Sequence, residues 1–293
     1  MRKPSVAVII NPAAGRMGPG AIDSLYAFYS KNSVIREFDL TEKAGDAEAF
    51  TESVARKGSA ELLVVVGGDG TLNEVVNGLL PGGPPIGYIP GGTTNVIRYE
   101  LKLPEELEAA ARITLRGRPM KIHPGLANGR RFLLMTGVGI DGEIVKSVSY
   151  GWKKILGKGE YIRVGIEKIF TYPRVDLRVS MGGQEVPGEF PWVLIARSSH
   201  YGGKWKIVRE ASLDKVALKG YLFKKGGVIN FFLYGLKSLL GFEFSESEVE
   251  KIEGLEIRID SNLSVPYQVD GDFAGTLPLH VGVDENYVEI MVP

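Results

Sequence analysis

The stretch that most limits what this chain can fold into is Leu62-Leu-Val-Val-Val-Gly67-Gly68-Asp69-Gly70-Thr71-Leu72-Asn73-Glu74. An unbroken apolar run rich in valine reads as a strand buried on both faces. It stops at a cluster of glycines, and Leu72, Val75, Val76, Leu79 and Leu80 then recur at helical spacing. Glycine lets such a turn close and lets a ligand approach the backbone, while the helix start leaves N–H groups suited to an anion. Asp69 inside that turn repels bare phosphate. It makes sense as a magnesium partner, direct or through water, as an orienter of an acceptor hydroxyl, or, with Thr71, as a helix cap.

The same alternation runs from the start to about Lys121. Val6–Ile10, Val34–Leu40 and Ile86–Ile89 read as strands, and Ala21–Lys31, a segment opening at Asp46, Asn95–Leu101 and Glu105–Arg116 as helices. In a parallel sheet the loops that follow the strands collect at one edge, where ligands bind. Two more small-residue loops fall there, Asn11-Pro12-Ala13-Ala14-Gly15-Arg16 and Pro90-Gly91-Gly92-Thr93-Thr94-Asn95. With the Gly67–Gly70 loop they predict one polyphosphate cradle, Arg16 reaching the terminal phosphates. The chain has no Gly-x-x-x-x-Gly-Lys-Ser/Thr loop, and no Gly-x-Gly-x-x-Gly follows the first strand.

After Pro119 the texture changes. Phe132–Val138, Val175–Met181, Trp192–Arg197, Val216–Phe223, Leu255–Asp260 and Tyr287–Val292 are strand-like. Leu255, Ile257 and Ile259 alternate with Glu256, Arg258 and Asp260. The expected fold is therefore an α/β domain with a parallel sheet over residues 1–121. A mostly antiparallel, sandwich-like β-rich domain follows over 122–293, with helical character at Ser147–Phe170 and Val228–Leu240.

Composition narrows the function. Lys plus Arg and Asp plus Glu both number 35, so no strongly basic domain marks a nucleic-acid binder. There is no cysteine and there are only 3 histidines, which argues against a thiol nucleophile, a disulfide framework or a multi-His metal centre. The apolar run Val228–Phe242 is about 15 residues and contains Lys237, short of the roughly 20 needed to span a bilayer. A cytoplasmic protein is the expectation.

Gly67-Gly68-Asp69-Gly70-Thr71 with Asn73-Glu74, and Pro90-Gly91-Gly92-Thr93-Thr94-Asn95, resemble the diacylglycerol kinase catalytic-domain family, which includes sphingosine kinases and bacterial lipid kinases. The resemblance continues in order through Asn11-Pro12, Gly137-Val-Gly-Ile-Asp141, Gly202-Gly203, Ala211-Ser212-Leu213-Asp214 and Val269-Asp270-Gly271-Asp272. The Gly-Gly-Asp-Gly-Thr element is shared with NAD kinases and phosphofructokinases. The Gly-Thr-x-Asn and Asp-Gly-acid elements point to the lipid-kinase branch.

The resemblance implies an NAD kinase/diacylglycerol kinase-like fold and ATP- and Mg²⁺-dependent transfer of a phosphoryl group to a hydroxyl of a diacylglycerol- or sphingoid-like lipid. The alternatives are a kinase for a soluble acceptor such as NAD, or a catalytically weak nucleotide- or lipid-binding protein. Nucleotide contacts carry over to Asn11, Arg16, Thr41, Gly67, Gly68, Asp69, Gly70, Thr71, Asn73, Glu74, Gly92, Thr93 and Asn95. Asp272 takes the place of the general base, usually Glu, with Asp69 acting through magnesium and Asp270 as the neighbouring acid. Three departures stand out. His123 replaces a usual Asp, Asp272 replaces Glu, and Lys215-Val216 follows Asp214 where bacterial members hold a structural magnesium. That metal site is expected to be lost, with Lys215 as counter-charge.

Read without the resemblance, Asp270-Gly271-Asp272 is a hairpin turn first and a catalytic acid pair second. Lys146, Lys153, Lys154, Lys158, Arg163 and Lys168, interleaved with Trp152, Ile155, Leu156 and Tyr161, suit an anionic membrane surface, as does Phe231–Leu240 beside Lys224, Lys225 and Lys237. Helices packed on the β domain are the other reading of both segments. The expected partners are a lipid substrate at a membrane surface, bound peripherally, and no nucleic acid; a homodimer is compatible with the chain.

Overall fold

The computed structural model describes residues 2–151, 172–173 and 175–293. Its first sheet takes strands β1 (Ser5–Ile10), β2 (Val34–Leu40), β3 (Leu62–Gly67), β4 (Ile86–Pro90), β5 (Arg118–Ile122) and β20 (Val288–Val292) in the order β2-β1-β3-β4-β20-β5. The pairs among β1 to β4 are parallel. Helices α1 (Ala21–Asn32) and α5 (Leu107–Arg116) cover one face, and α2 (Asp46–Lys57) and α3 (Asp69–Gly78) the other. This explains the uninterrupted apolar runs. Val6, Val8 and Ile10 of β1 pack with Leu25 and Tyr29, while Ala7 and Ile9 share a core with Val54, Leu72 and Val75.

Strand β20 is grouped by sequence order with the β-rich residues 122–293, yet in space it belongs to the first sheet. It lies parallel to β4 and antiparallel to β5. The end of the chain therefore closes the sheet that its beginning opens.

Two further six-stranded sheets form the sandwich. One contains β6 (Gly125–Ala127), β7 (Arg130–Phe132), β9 (Arg178–Met181), β10 (Gln184–Glu185), β16 (Glu256–Asp260) and β19 (Leu279–Val283). The other contains β8 (Met135–Gly139), β11 (Trp192–Ala196), β14 (Leu218–Phe223), β15 (Val249–Gly254), β17 (Pro266–Val269) and β18 (Asp272–Thr276). Every pairing within these two sheets is antiparallel. Ile257, Ile259, Leu279 and Val281 of one sheet meet Val138, Val193, Ile195 and Leu222 of the other. The alternation in β16 thus points its apolar residues inward, leaving Glu256 and Arg258 exposed.

A small hairpin, β12 (His200–Tyr201) with β13 (Trp205–Lys206), and helices α4 (Val96–Glu100), α6 (Ile140–Gly151) and α7 (Val228–Leu240) complete the described residues. None of their helices is long and apolar enough to cross a membrane. The strand expected over Phe132–Val138 is two strands in different sheets, broken at Leu133–Leu134 by a carboxylate discussed below. Most of the basic, aromatic segment around Trp152–Lys168 lies outside the described residues.

Candidate active site

The three predicted loops converge. Asn11 N–H donates to the Val66 carbonyl (2.9 Å), and Gly91 and Gly92 N–H both donate to the Gly67 carbonyl (2.8 and 3.2 Å). Asn11 Nδ2 donates to Thr71 Oγ1 (3.2 Å). Between the loops lies a cavity of about 510 Å³ whose wall includes Asn11, Thr41, Gly68, Gly70, Thr71, Glu74, Gly92 and Thr93. No side chain caps the start of α3, so its first N–H groups remain available to an anion. Gly92 is required by proximity: a Cβ there would lie 2.6 Å from the Gly68 Cα.

Other predicted residues stand behind this wall. Asn95, at φ 48°, exchanges hydrogen bonds with the Gly92 main chain, its Nδ2 donating to the carbonyl (2.6 Å) and its Oδ1 accepting the N–H (2.9 Å). Gly67 ends β3, packed so closely on Thr71 that a Cβ would lie 2.6 Å from its Oγ1. Arg16 is not among the residues on this wall, and its guanidinium pairs with Glu105. The cation on the cavity wall is Lys43, which sequence reasoning missed because nothing in Thr41-Glu42-Lys43 distinguishes it from a solvated surface lysine.

Asp69 neither points into this cavity nor caps its own helix. Its Oδ2 and Oδ1 accept the Val96 and Ile97 N–H groups at 2.7 and 3.1 Å, capping α4. Burial raises its pKa, and those two bonds pull it back. It lines an adjoining space of about 310 Å³ together with Asp270, His200, Tyr201 and Gln268.

The Asp270-Gly271-Asp272 ambiguity resolves as a hairpin that also carries acids. Asp270 (φ 51°) and Gly271 (φ 92°) form the two-residue turn between β17 and β18, both left-handed, as a type I′ turn demands. The turn sends the two carboxylates to different places. Asp270 accepts the N–H groups of Leu133 (2.8 Å), Leu134 (2.8 Å) and Met135 (3.0 Å), which breaks the strand there, and Asn73 Nδ2 from α3 (3.0 Å). Burial pushes its pKa up to about 6 against those amides, with the Asp69 charge adding to the rise. The Asp272 carboxylate has no hydrogen-bond partner among the described residues, and partial desolvation lifts its pKa above the ordinary value. It faces a third cavity of about 430 Å³ with Asn73, Tyr267 and Phe273. Gly70 and Glu74 belong to the walls of both this cavity and the glycine-loop cavity.

Two polar clusters brace the junction, and sequence spacing gave no hint of either because the partners are far apart in the chain. Buried Asp141 accepts Tyr201 Oη–H (2.6 Å) and Gln268 Nε2 (2.9 Å), while Gln268 Oε1 accepts the Gly271 N–H (2.8 Å). Glu100 accepts from Ser198, Ser199 and the His200 ring, the last at 2.6 Å. Burial would raise Glu100, but these bonds outweigh it and hold it below its usual range.

At Asp214 the turn is organised by a cation other than the one expected. Buried Arg197 donates to the carbonyl oxygens of Leu213 (3.1 Å), Lys215 (2.5 Å) and Ala217, and through Nε to that of His123 (2.8 Å). Burial lowers its pKa to about 10, and Asp214 acts against that. The guanidinium holds this turn through its carbonyl oxygens. His123 contributes its carbonyl here, its ring standing against the Asp284 carbonyl and Tyr287.

No cluster of three metal-ligating side chains exists among the described residues. A hard dication with several waters and phosphate oxygens needs only one or two carboxylates from the protein. Glu74 fits, since one of its oxygens accepts the Ala47 N–H (3.2 Å) and the other has no hydrogen bond among the described residues. Asp69, with both oxygens accepting amides, suits contact through water.

Residues 5–127 match the diacylglycerol kinase catalytic domain, and residues 135–292 match the YegS C-terminal NAD kinase beta sandwich-like domain. The chain belongs to the diacylglycerol kinase catalytic-domain family, and so to a family of phosphotransferases. Diacylglycerol kinase of Staphylococcus carnosus (strain TM300) is 29% identical over 98% of this chain and 94% of that one. Diacylglycerol kinase of Bacillus subtilis (strain 168) is 26% identical over 92% and 90%. A crystal structure of a diacylglycerol kinase from Bacillus anthracis str. Sterne superposes with a TM-score of 0.76 at 22% identity, covering 100% of this chain and 98% of that one. At that identity the likeness bears on the fold alone.

Proposed function

We propose that this protein transfers the γ-phosphoryl group of ATP to a hydroxyl of a diacylglycerol- or sphingoid-like lipid. The observation that carries the reading is the Asp272 carboxylate, without a hydrogen-bond partner among the described residues, in a cavity that shares Gly70 and Glu74 with the glycine-loop cavity. Phosphoryl transfer needs little more than positioning, charge neutralisation and a base for the acceptor proton. The Gly68–Thr71 and Gly92–Thr93 main chain and the α3 N-terminus would hold the phosphates, with Lys43 near the terminal ones. Glu74, and Asp69 through water, would hold a magnesium ion arriving with the nucleotide, which would supply positive charge against the phosphates.

Asp272 takes the hydroxyl proton as the acceptor oxygen bonds to the γ-phosphorus and the nucleoside diphosphate leaves. Asp270, its oxygens committed to amides and to Asn73, positions the turn that carries Asp272. The test is radiolabelled ATP with a panel of lipids in mixed micelles and with NAD. Labelled lipid supports the proposal. Labelled NAD alone, or nucleotide binding without transfer, overturns it.

A further inference from the structure

Helix α7 carries large apolar side chains on both its inner and its outer face. Its inward face is Phe231, Tyr234 and Ser238: Phe231 packs on Trp192 (ring centroids 5.0 Å apart), Tyr234 on Phe223 (4.8 Å), and Ser238 Oγ donates to the Lys206 carbonyl (3.0 Å). Ile229, Phe232, Leu233, Leu236 and Leu240 recur outward at helical spacing and are 50–75% exposed. Leu239 and Phe242 extend the patch. Single exposed apolar residues need no account, but a contiguous stripe of large ones marks an interaction surface.

Charge says what covers it. The helix holds no acidic residue, and its one charge is Lys237. Lys204, Lys206, Arg209, Lys224 and Lys225 are exposed along the adjoining hairpin and the strand-to-helix loop. Lys224 pairs with Glu250 and Lys237 with Glu248, and exposed Glu243 follows the helix. Lys204, Lys206 and Lys225 have no ion pair among the described residues. Trp205, 46% exposed between two of these lysines, adds the amphipathic ring that favours a lipid–water boundary.

A cavity of about 490 Å³ opens at the helix start, lined by Ile140, Pro191, Trp192 and Phe231 beside Lys224 and Lys225. Two buried polar atoms on its wall, Trp192 Nε1 and the Tyr172 hydroxyl, have no hydrogen-bond partner among the described residues. Apolar walls, unused donors and cationic edges together match an anionic amphiphile.

We infer that α7 lies in the interfacial plane of an anionic bilayer, its outer stripe among the acyl chains and the lysines among the headgroups. This builds on the lipid-acceptor reading and gives it a surface: the helix brings the enzyme to the phase in which its acceptor is dissolved.

The test uses the whole chain with vesicles of phosphatidylcholine alone and of phosphatidylcholine with phosphatidylglycerol. The variants are Phe232→Ser/Leu236→Ser, which removes only exposed groups, and Lys225→Glu. Wild type should sediment with the anionic vesicles, less so as salt rises. The double variant should lose about tenfold or more of that partition, and Lys225→Glu a smaller factor, with unchanged melting temperature and unchanged turnover on a short-chain, water-soluble diacylglycerol. Double-variant binding equal to wild type, or no wild-type binding to either vesicle, overturns the inference. A variant that converts a dimer to a monomer without changing vesicle binding assigns the stripe to self-association and overturns it too. Vesicle binding without phosphorylation of any lipid would fell the acceptor reading and leave the docking surface standing. Lipid phosphorylation with α7-independent binding would do the reverse.

Discussion

At Asp270 the carboxyl group accepts three main-chain amides and Asn73 Nδ2, and burial still pushes its pKa up to about 6. The folded chain keeps this proton to a higher pH than the unfolded chain does. The group's contribution to stability is therefore fully present below the ordinary carboxylate value and is lost as the pH climbs to about 6. The amide resonances of Leu133, Leu134 and Met135 should shift together with a midpoint near pH 6. A midpoint below the ordinary carboxylate range would show that the amides, not burial, dominate. The family resemblance favours Asp272 as the base, but sequence spacing alone does not show where either carboxylate points. The left-handed pair at Asp270–Gly271 sends them apart, turning Asp270 into a clasp while the Asp272 carboxylate has no hydrogen-bond partner among the described residues.

Among the elements, the loops after β1, β3 and β4 were legible because each joins an apolar run to a glycine cluster and then to a helical period. What their sequence could not show is which residues face the cavity. Gly92 illustrates the tolerance of that packing. A Cβ there meets the Gly68 Cα at 2.6 Å and Asn95 Oδ1 at 2.7 Å, whereas one at Gly70 meets nothing within 4 Å. Gly92→Ala should cost about 1–3 kcal/mol and weaken binding of a non-hydrolysable ATP analogue about tenfold or more, while Gly70→Ala leaves the melting temperature unchanged. Equal analogue affinity in Gly92→Ala and wild type would mean the nucleotide does not sit between these loops.

The Leu213–Ala217 turn teaches a related lesson, since Lys215 is adjacent in sequence but Arg197 arrives from the end of β11 with a planar, buried fork. Arg197→Met keeps the volume and removes the donors, and should cost about 3–5 kcal/mol in chemical denaturation. A chelator added to nucleotide-free wild type should leave its melting temperature nearly unchanged. A chelator-induced drop of several degrees would mean that a metal, not the guanidinium, holds the turn.

On the scale of the whole molecule, the change from βα alternation to period-two strands announced two halves, and both are there. The return of β20 to the first sheet was not legible, because Tyr287–Val292 looks like any other strand of the second half. Its pairing is decided by an unfilled slot between β4 and β5, a tertiary fact without a local signal. The site has the same character, since its acids come from near the end of the chain and its glycine loops from the beginning, and they meet across Gly70 and Glu74.

Asp272 as the base for a lipid hydroxyl is tested directly by steady-state kinetics of Asp272→Ala and Asp272→Glu with micellar diacylglycerol. Asp272→Ala should lower kcat about 10²–10⁴-fold with the KM for ATP nearly unchanged, and Asp272→Glu should retain activity. An Asp272→Ala enzyme turning over like wild type would contradict it.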